Sequence, residues 1–417
     1  MIKKRYLLLV AIILVSYYPL QAQHVGTVDD VMGRKNNVIT TTVPFLLIAP
    51  DSRSGAMGDA GVATTPDAYL AHWNPAKAVF AKNDLGIAIS YSPWLRNLIS
   101  DMDLAYLSGY TKLDKKGENA ITASLLYFDL GKIEVRTEDG ASHGDFSPNE
   151  FAIDFGYNRL LGKNFAGAVA FRFINSNLTG GKRLGNEETH PGRSFAADVA
   201  FYYHNPNLYT AGLKTTLMFG VNISNIGQKI SYTSNDYRYH IPTNFRIGAG
   251  YLLELDAHND IMLTCDFNKL LVPTPAIYEH NEATGENILV SGKDPDVSVA
   301  AALFSSWADA PGDYFDNSVL KEELAEFTTS IGFEYWYDKQ FALRAGYFHE
   351  NTYKGNRKFV TFGVGLKMNV FGLDFSYLLP VTQANPLQNT LRFSLIFDIA
   401  GLSNEASSKP TNTRARY

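Results

Sequence analysis

The chain contains 417 residues, of which 46% are hydrophobic and 13% are aromatic, including 24 Tyr and 26 Phe. Its formal net charge of -5 at pH 7 argues against a nucleic-acid partner, because phosphate binding requires a basic surface. After the N-terminal segment no stretch approaches about 18 consecutive apolar residues, which excludes a helical membrane protein. The remaining classes are a large secreted β-protein and an outer-membrane barrel, because both consist of many short alternating strands.

Residues 1–22 have the pattern of an export signal peptide. Three basic residues at positions 3–5 form a charged head, residues 7–15 are apolar, and residues 20–22 form a plausible cleavage site. A membrane anchor is the alternative, but the apolar run is about half the ~20 residues that a spanning helix needs. Cys265 is the only cysteine, so we expect neither a lipid-modified N-terminus nor an intrachain disulfide.

Residues 23–84 are richer in Gly, Ala, Thr and Asp than in strand-forming residues. Glycines recur at every third position from Gly55 to Gly61, which allows the backbone to turn tightly and to approach other elements closely. The sequence WNPA begins at Trp73, and its Asn and Pro are typical of a turn. A barrel of about fourteen strands has a wide lumen. We therefore interpret 23–84 as an N-terminal plug whose turns involve Gly58, Gly61, Trp73, Asn74 and Pro75, with the Trp73 ring against the wall.

From residue 85 onward, apolar and polar residues alternate over many short stretches. In TLRFSLIFDI, 390–399, every second side chain is apolar, which predicts a strand with one apolar and one polar face. A soluble sandwich alternates too, but the export signal, the number of strands and the aromatic residues that end many apolar faces favour a membrane barrel. We expect the charged residues of the polar faces to point into the lumen, where they can pair or be hydrated: Glu334, Arg344, Lys367, Asp374, Arg392 and Asp398.

The pattern predicts an all-β fold, a transmembrane antiparallel β-barrel over residues 85–400. Its fourteen strands are an even number, as in single-chain bacterial barrels. They are predicted near 85–91, 102–110, 119–128, 150–158, 165–174, 195–203, 214–223, 244–254, 259–268, 327–337, 340–348, 358–369, 371–379 and 389–399. Residues 401–417 are predicted to be a periplasmic tail.

The lengths of the connections predict which end of the barrel faces the periplasm. Short connections such as LDAHN and YDK fall at one end, and long ones fall at the other: 129–149, 175–194, 224–243 and 269–326. Short turns are typical of the periplasmic side and long loops of the exterior. A strand at 297–304 would break the even count, so we expect 269–326 to be one external segment without strands, with a short helix at 321–327. Connections of that length are usually functional.

Several motifs in this order and spacing carry a resemblance. They are SGAMGDAGVATTPDAYLAHWNPA at 54–76, DFNKLLVPTP at 266–275, SSWADAPGDY at 305–314, EYWYDKQFALRAGYFHE at 334–350 and GVGLK at 363–367. The first is similar to the N-terminal signature of the FadL-like outer-membrane barrels. Together the motifs, over essentially the whole mature chain, resemble the PorV family of the Bacteroidetes type IX secretion system.

The resemblance implies a receptor in the outer membrane of a Gram-negative cell rather than an enzyme. Members of this family are understood to bind the C-terminal sorting domain of secreted cargo at the translocon barrel, which is SprA-like. They deliver the cargo to a PorU-like sortase and the other subunits of the attachment complex, which join it to lipopolysaccharide. The implied partners are therefore these proteins and outer-membrane lipid. The alternative function is transport of hydrophobic small molecules, as in the fatty-acid-transporting relatives.

The external apolar residues are the candidates for cargo binding, because exposed apolar patches commonly mark partner sites. They lie in the first external loop and in 269–326: Trp94, Leu95, Leu271, Val272, Pro273, Pro275, Tyr278 and Trp307. The alternative for each is that it packs against the barrel rim. The same residues would also suit a lipid ligand in a transporter.

No motif for catalysis, for metal binding or for a cofactor is present. G-x-S-x-G, H-E-x-x-H and the P-loop are absent, and the nine His residues lack metal-ligand spacing. His72 is more simply a residue of the plug, although a lipid-modifying enzyme could assemble a site from distant strands. The glycine pairs 248/250 and 363/365 occupy alternate strand positions and are interpreted as slots for close packing against the plug.

Overall fold

The structure is a computed structural model that describes residues 36–96, 99, 101–136, 142–181, 188–233, 237–281, 285–312, 315–381 and 387–399. The predicted signal peptide at 1–22, the first part of the predicted plug at 23–35 and the predicted tail at 401–417 lie outside the described residues. None of the helices within these ranges has the length and apolar character that crossing a membrane requires.

The described residues contain eighteen strands, of which fourteen close into one antiparallel barrel. The barrel strands are β1 (Leu85–Pro93), β2 (Asp103–Lys112), β3 (Asn119–Asp129), β6 (Asn149–Gly162), β7 (Phe165–Asn177), β8 (Gly192–Thr210), β9 (Leu213–Gly227), β10 (Asn244–Glu254), β11 (Asn259–Leu270), β14 (Thr328–Tyr337), β15 (Phe341–His349), β16 (Lys358–Met368), β17 (Phe371–Pro380) and β18 (Leu391–Ile399). The other four form two separate hairpins, β4 (Ile133–Arg136) with β5 (Ser142–Phe146) and β12 (Ile277–His280) with β13 (Asn287–Ser291). The prediction of a fourteen-stranded barrel is confirmed, and each predicted strand is present.

Each barrel strand pairs with the barrel strands before and after it, and β1 pairs with β18 to close the sheet. Along β18, Phe393 and Phe397 are exposed on the outer surface, whereas Arg392 and Ser394 are buried on the luminal side. The same alternation gives the barrel an apolar outer surface for lipid and a polar interior. The charged residues assigned to the lumen lie there: Glu334, Arg344, Asp374 and Arg392 are buried, and Lys367 pairs with Asp398 at 2.5 Å.

The two ends of the barrel differ as the connection lengths predict. We call the end with the long connections the outer end and the end with the short turns the inner end. The segment 271–327 at the outer end contains the β12–β13 hairpin and two helices, Val299–Ser305 and Val319–Ala325, so the prediction that 269–326 has no strands is wrong. Residues 297–304 are not a strand, as expected. The Ser298 and Ser318 hydroxyls instead cap the two helices by accepting hydrogen bonds from the backbone.

Residues 37–84, the luminal segment, run through the barrel from its outer to its inner end. Asn37 donates its backbone N–H to Tyr353 O in an outer connection, whereas Asp84 O accepts from Lys112 at the inner end of β2. Between them lie four short helical elements, Pro44–Leu47, Ser52–Gly55, Leu70–Trp73 and Pro75–Phe80. The Pro75–Phe80 element contacts β2, β3, β6, β7 and β8, while Ser52–Gly55 contacts β16, β17 and β18 on other parts of the wall.

Candidate functional site

The predicted turn residues of the plug come together in the luminal segment. Trp73 is buried and donates its indole N–H to Asp51 Oδ2 at 2.6 Å. A Cβ built on Gly61 would lie 2.3 Å from Trp73 Cδ2, so only glycine leaves room for this ring. Gly58 has φ +69° and lies so close to the backbone of Tyr347 in β15 that a Cβ would meet its carbonyl oxygen at 2.6 Å.

Asn74 has two roles where the sequence indicated a turn. Its Oδ1 accepts a hydrogen bond from Ala76 N at 3.1 Å and caps the helical element that begins at Pro75. Its Nδ2 donates to Val62 O within the segment and to Phe201 O in β8 at 3.0 Å. The same side chain therefore caps the start of one local element and attaches the segment to the barrel wall.

Wall glycines provide the slots into which the luminal segment fits. A Cβ on Gly346 would lie 2.1 Å from Gly58 N, and one on Gly250 would lie 2.3 Å from Ala63 O. Gly248 and Gly363 face the segment in the same way, as the sequence indicated. Gly365 does not, because its neighbours are Asp374 and Arg344. The segment thus approaches the wall at backbone distance on several sides.

A buried network of charges also joins the luminal segment to the wall. The Arg53 guanidinium binds Glu334 of β14 through two hydrogen bonds of 2.9 and 2.7 Å, and it binds Asp67 at 2.7 Å. Arg344 connects Glu334 to Asp374 with bonds of 2.7 and 2.6 Å. Buried charges of this kind are tolerated only when they are paired and hydrogen-bonded. The wall residues of this network were predicted from the sequence to face the lumen. Arg53 was not identified, because its partner on the wall, Glu334, lies 281 positions away in the sequence.

Three glutamates at the outer end hold segment 271–327 together. Glu322, Glu323 and Glu326 project from the buried side of the Val319–Ala325 helix and its C-terminal end. Lys269 binds Glu323 at 2.8 Å and also binds Glu326, while Lys354 binds Glu322 at 2.6 Å and Glu326 at 3.0 Å. The segment is therefore clamped to the end of β11 and to the outer connection between β15 and β16.

The same glutamates accept hydrogen bonds from the backbone of the segment. Glu323 Oε1 accepts from Asp309 N at 2.8 Å and from Ala310 N at 3.0 Å, and Glu322 Oε2 accepts from Gly312 N at 2.6 Å. Burial raises the pKa of Asp309 to about 6, and the neighbouring Glu323 carboxylate contributes in the same direction. Asp309 is therefore an acid in this segment that changes charge near neutral pH.

The structure separates the predicted cargo-binding residues into buried, partly buried and exposed groups. Leu271 and Val272 have exposures of only 3% and 2%, and Trp94 at 8% is also buried, so the prediction that they are exposed is wrong. Leu271 N donates to Thr243 O, so this part of the run continues the pairing of β10 and β11 beyond the last ladder pair. The partly buried residues are Leu95, Pro273 and Pro275. Tyr278 is 45% exposed and Trp307 is 43% exposed, although they lie in different parts of the segment.

Sequence reasoning missed most of the apolar residues that the outer end exposes. We call Tyr278, Ile288, Leu289 and Val290 the hairpin surface, because all four are exposed on β12–β13. We call Phe304, Trp307, Leu320 and Leu324 the helix surface. Two signals in the sequence could have identified them. The spacing of Leu320 and Leu324 by four residues in SVLKEELAEF indicates one helix face. The three consecutive apolar residues at 288–290 lie within the predicted external segment.

Among the described residues, no three His, Cys, Asp or Glu side chains group as ligands for a metal ion. The outer end presents two apolar surfaces on a segment held by buried ion pairs, and residues 37–84 run through the lumen beneath it. Such an arrangement can bind a partner at its outer surface.

Comparison with known families gives a match over much of the chain. The profile of the family described as "Type IX secretion system protein PorV" matches residues 32–277, which is more than half of the chain. A comparison with curated protein sequences gives no significant match.

Among solved structures, the chain is similar to the CymD monoaromatic hydrocarbon channel, with 11% identity, coverage of 85% of this chain and 99% of that one, and a TM-score of 0.48. The toluene transporter TodX of Pseudomonas putida gives 12% identity, 83% and 96% coverage, and 0.43. A FadL homologue of Pseudomonas aeruginosa gives 10% identity, 87% and 99% coverage, and 0.42. At these scores the likeness supports no inference about what this chain binds.

Proposed function

Because the chain belongs to the PorV family of the type IX secretion system, we propose that it is an outer-membrane receptor that binds the C-terminal sorting domain of secreted cargo at the translocon. It then delivers the cargo to the cell-surface sortase and attachment complex. The observation that carries this proposal is the hairpin surface, which exposes four large apolar side chains at the outer end of the barrel. An exposed apolar cluster of this kind is typical of a protein-binding site.

The base of the β12–β13 hairpin is fixed, so its apolar residues are held at the outer end. Asn37 donates from Nδ2 to Pro275 O at 3.2 Å just before β12, and Ser291 at the end of β13 donates from Oγ to Pro311 O at 2.9 Å. The exposed residues between these two anchor points lie on both faces of the hairpin. A two-stranded sheet with apolar side chains on both faces gains stability when a partner covers it.

The test replaces Tyr278, Ile288 and Val290 together with Ser and measures how much cargo is recovered with the receptor from detergent extracts. Leu271 and Val272 are unsuitable for this purpose, because Ser at buried positions would disturb the segment itself. We expect the triple variant to insert and to show wild-type heat-modifiable mobility, but to lose cargo recovery. Unprocessed cargo should accumulate.

The matched control is Tyr237→Ser, which removes a 75% exposed tyrosine from another outer connection. It should recover cargo at the wild-type level. Undiminished recovery with the triple hairpin variant would show that the hairpin surface is not the cargo site. The alternative function, transport of small hydrophobic molecules, would then gain weight if the same protein also conducted such molecules through planar bilayers.

A further inference from the structure

Strands β10 and β11 show which side of the wall segment 271–327 contacts at the outer end. In β10 and β11, luminal residues alternate with outward ones: Arg246 and Asn268 form a hydrogen bond inside the barrel at 2.6 Å, so their neighbours Phe245 and Lys269 point outward. Phe245 pairs with Lys269 across the two strands without a register shift. These two side chains mark the outward side of the wall at its outer end.

Both outward side chains are covered by segment 271–327. The Trp307 ring packs edge-on against Phe245 with their centroids 5.4 Å apart. Lys269, only 1% exposed, is buried under Glu323, Glu326 and the Phe327 ring, whose centroid lies 5.8 Å from Nζ. The segment therefore reaches over the rim and rests against the outer surface of the barrel.

Part of the surface of the helices that these contacts leave uncovered is apolar. Phe304 is 81% exposed, Leu320 is 69% exposed and Leu324 is 61% exposed, while Glu322 and Glu326 are buried on the opposite side of the second helix. On that helix, Leu320 and Leu324 lie next to Glu323, the glutamate that points toward outward-facing Lys269. Two residues before Lys269, on the same strand and the same face, Phe267 is exposed on the lipid-facing surface. The helix that carries Leu320 and Leu324 is therefore held, through Glu323 and Lys269, on the side of the wall to which Phe267 belongs.

We propose that the helix surface is embedded in the outer leaflet of the membrane and anchors segment 271–327 to lipid. The observation behind it is that the segment covers outward-facing Phe245 and Lys269, which lie on the same face of the wall as lipid-facing Phe267, and exposes large apolar side chains on its own surface. Trp307 sits at the rim, where barrels place their interfacial aromatic residues. An apolar helix face beside polar, neutralised groups suits the boundary between head groups and acyl chains. This proposal is independent of cargo binding by the hairpin surface.

The test uses the tryptophan fluorescence of the full chain in phosphatidylcholine vesicles whose acyl chains are brominated, with unbrominated vesicles as the reference. The chain has four Trp, and of these Trp73 and Trp94 are buried while Trp336 lies on the luminal side, next to Arg344. Quenching by bromine should therefore come mainly from Trp307. We expect Trp307→Phe to remove most of the quenched emission while leaving heat-modifiable mobility unchanged.

Two further variants, both built on Trp307→Phe, complete the test. Phe267→Trp places the probe on the lipid-facing wall and must be quenched, whereas Leu324→Trp is quenched only if the helix surface contacts lipid. We expect both to be quenched, and we expect bromine near the head-group end of the acyl chain to act more strongly on Leu324→Trp. Quenching of Phe267→Trp without quenching of Trp307 or Leu324→Trp would overturn the proposal and leave the helix surface as a protein-binding site.

Discussion

Gly61 and Trp73 offer a test of how the luminal segment is held, because they occupy the same space. Trp73→Ala removes a ring that is 2% exposed, at a cost of about 3–5 kcal/mol, and it leaves Asp51 without its indole donor, which adds about 1–3 kcal/mol. Gly61→Ala drives a methyl group to 2.3 Å from the same ring, and overpacking of this kind costs about 1–3 kcal/mol.

The double variant should cost less than the two single changes added together. The three atoms nearest to a Cβ on Gly61 all belong to the Trp73 ring, so deleting the ring removes the clash and lets the new methyl group occupy part of the cavity. We expect a favourable coupling of about 1–3 kcal/mol between the two sites. The Arg246 guanidinium, 4.6 Å above the ring, loses its stacking partner in both Trp73 variants and so does not affect the comparison.

The assay is single-channel conductance in planar bilayers, together with heat-modifiable mobility as the check that the barrel is closed. Each single variant should open more often than the wild type, because a loosened segment allows ions to pass. Gly61→Ala in the Trp73→Ala background should add no further openings. Strictly additive effects would refute the reasoning that the ring is what Gly61 accommodates, and wild-type conductance for Trp73→Ala would show that the ring does not hold the segment.

Three other predictions concern the luminal segment and the buried ion pairs and acids that hold segment 271–327. Deletion of residues 55–80 should raise conductance in a correctly inserted barrel, and unchanged conductance would contradict a plug. Lys269→Met should destabilise segment 271–327 by about 3–5 kcal/mol, because it leaves Glu323 buried without its cation. The loss should be measured as faster cleavage by chymotrypsin. Lys321→Met is the near-neutral control, because Lys321 forms an exposed ion pair with Asp316. Because the pKa of Asp309 is raised in the folded protein, its protonated form favours folding of the segment. This contribution of up to about 3 kcal/mol is fully present below about pH 4 and is lost as the pH rises through about 6. Hydrogen exchange of 309–326, corrected for intrinsic rates, should therefore show less protection at pH 7.5 than at pH 5, and Asp309→Asn should remove most of this difference.

The barrel could be predicted from sequence because its two environments impose a period of two on every strand. Phe393 and Arg392 are adjacent in the chain and face lipid and lumen respectively, so local alternation carries the information that the fold needs. The luminal segment has no such period. Its helical elements are four to six residues long and are held by partners far away in sequence, such as Ser394 Oγ, which accepts from Ser52 N across 342 positions.

The candidate site was predicted only in part, for a related reason. The run LLVPTPAIY is apolar throughout, and composition alone does not tell Leu271, which extends the barrel edge, from Tyr278, which is exposed on the hairpin. Predicting the helix surface from the sequence would have required knowing that Glu322 and Glu323 are buried in ion pairs with lysines from other parts of the chain. A charged helix normally turns its glutamates toward water, and here it turns them inward.

The path of residues 37–84 restricts the order in which the molecule can be assembled. Asn37 is bonded at one mouth and Asp84 at the other, so this stretch is threaded through the ring of strands that β1 and β18 close. Folded chains rarely thread closed loops, because passing a chain end through a finished ring is slow. The backbone contacts at Gly346 and Gly250 leave no clearance for entry from the side. We therefore expect the seam between the first and last strands to form last, around a segment that is already in place.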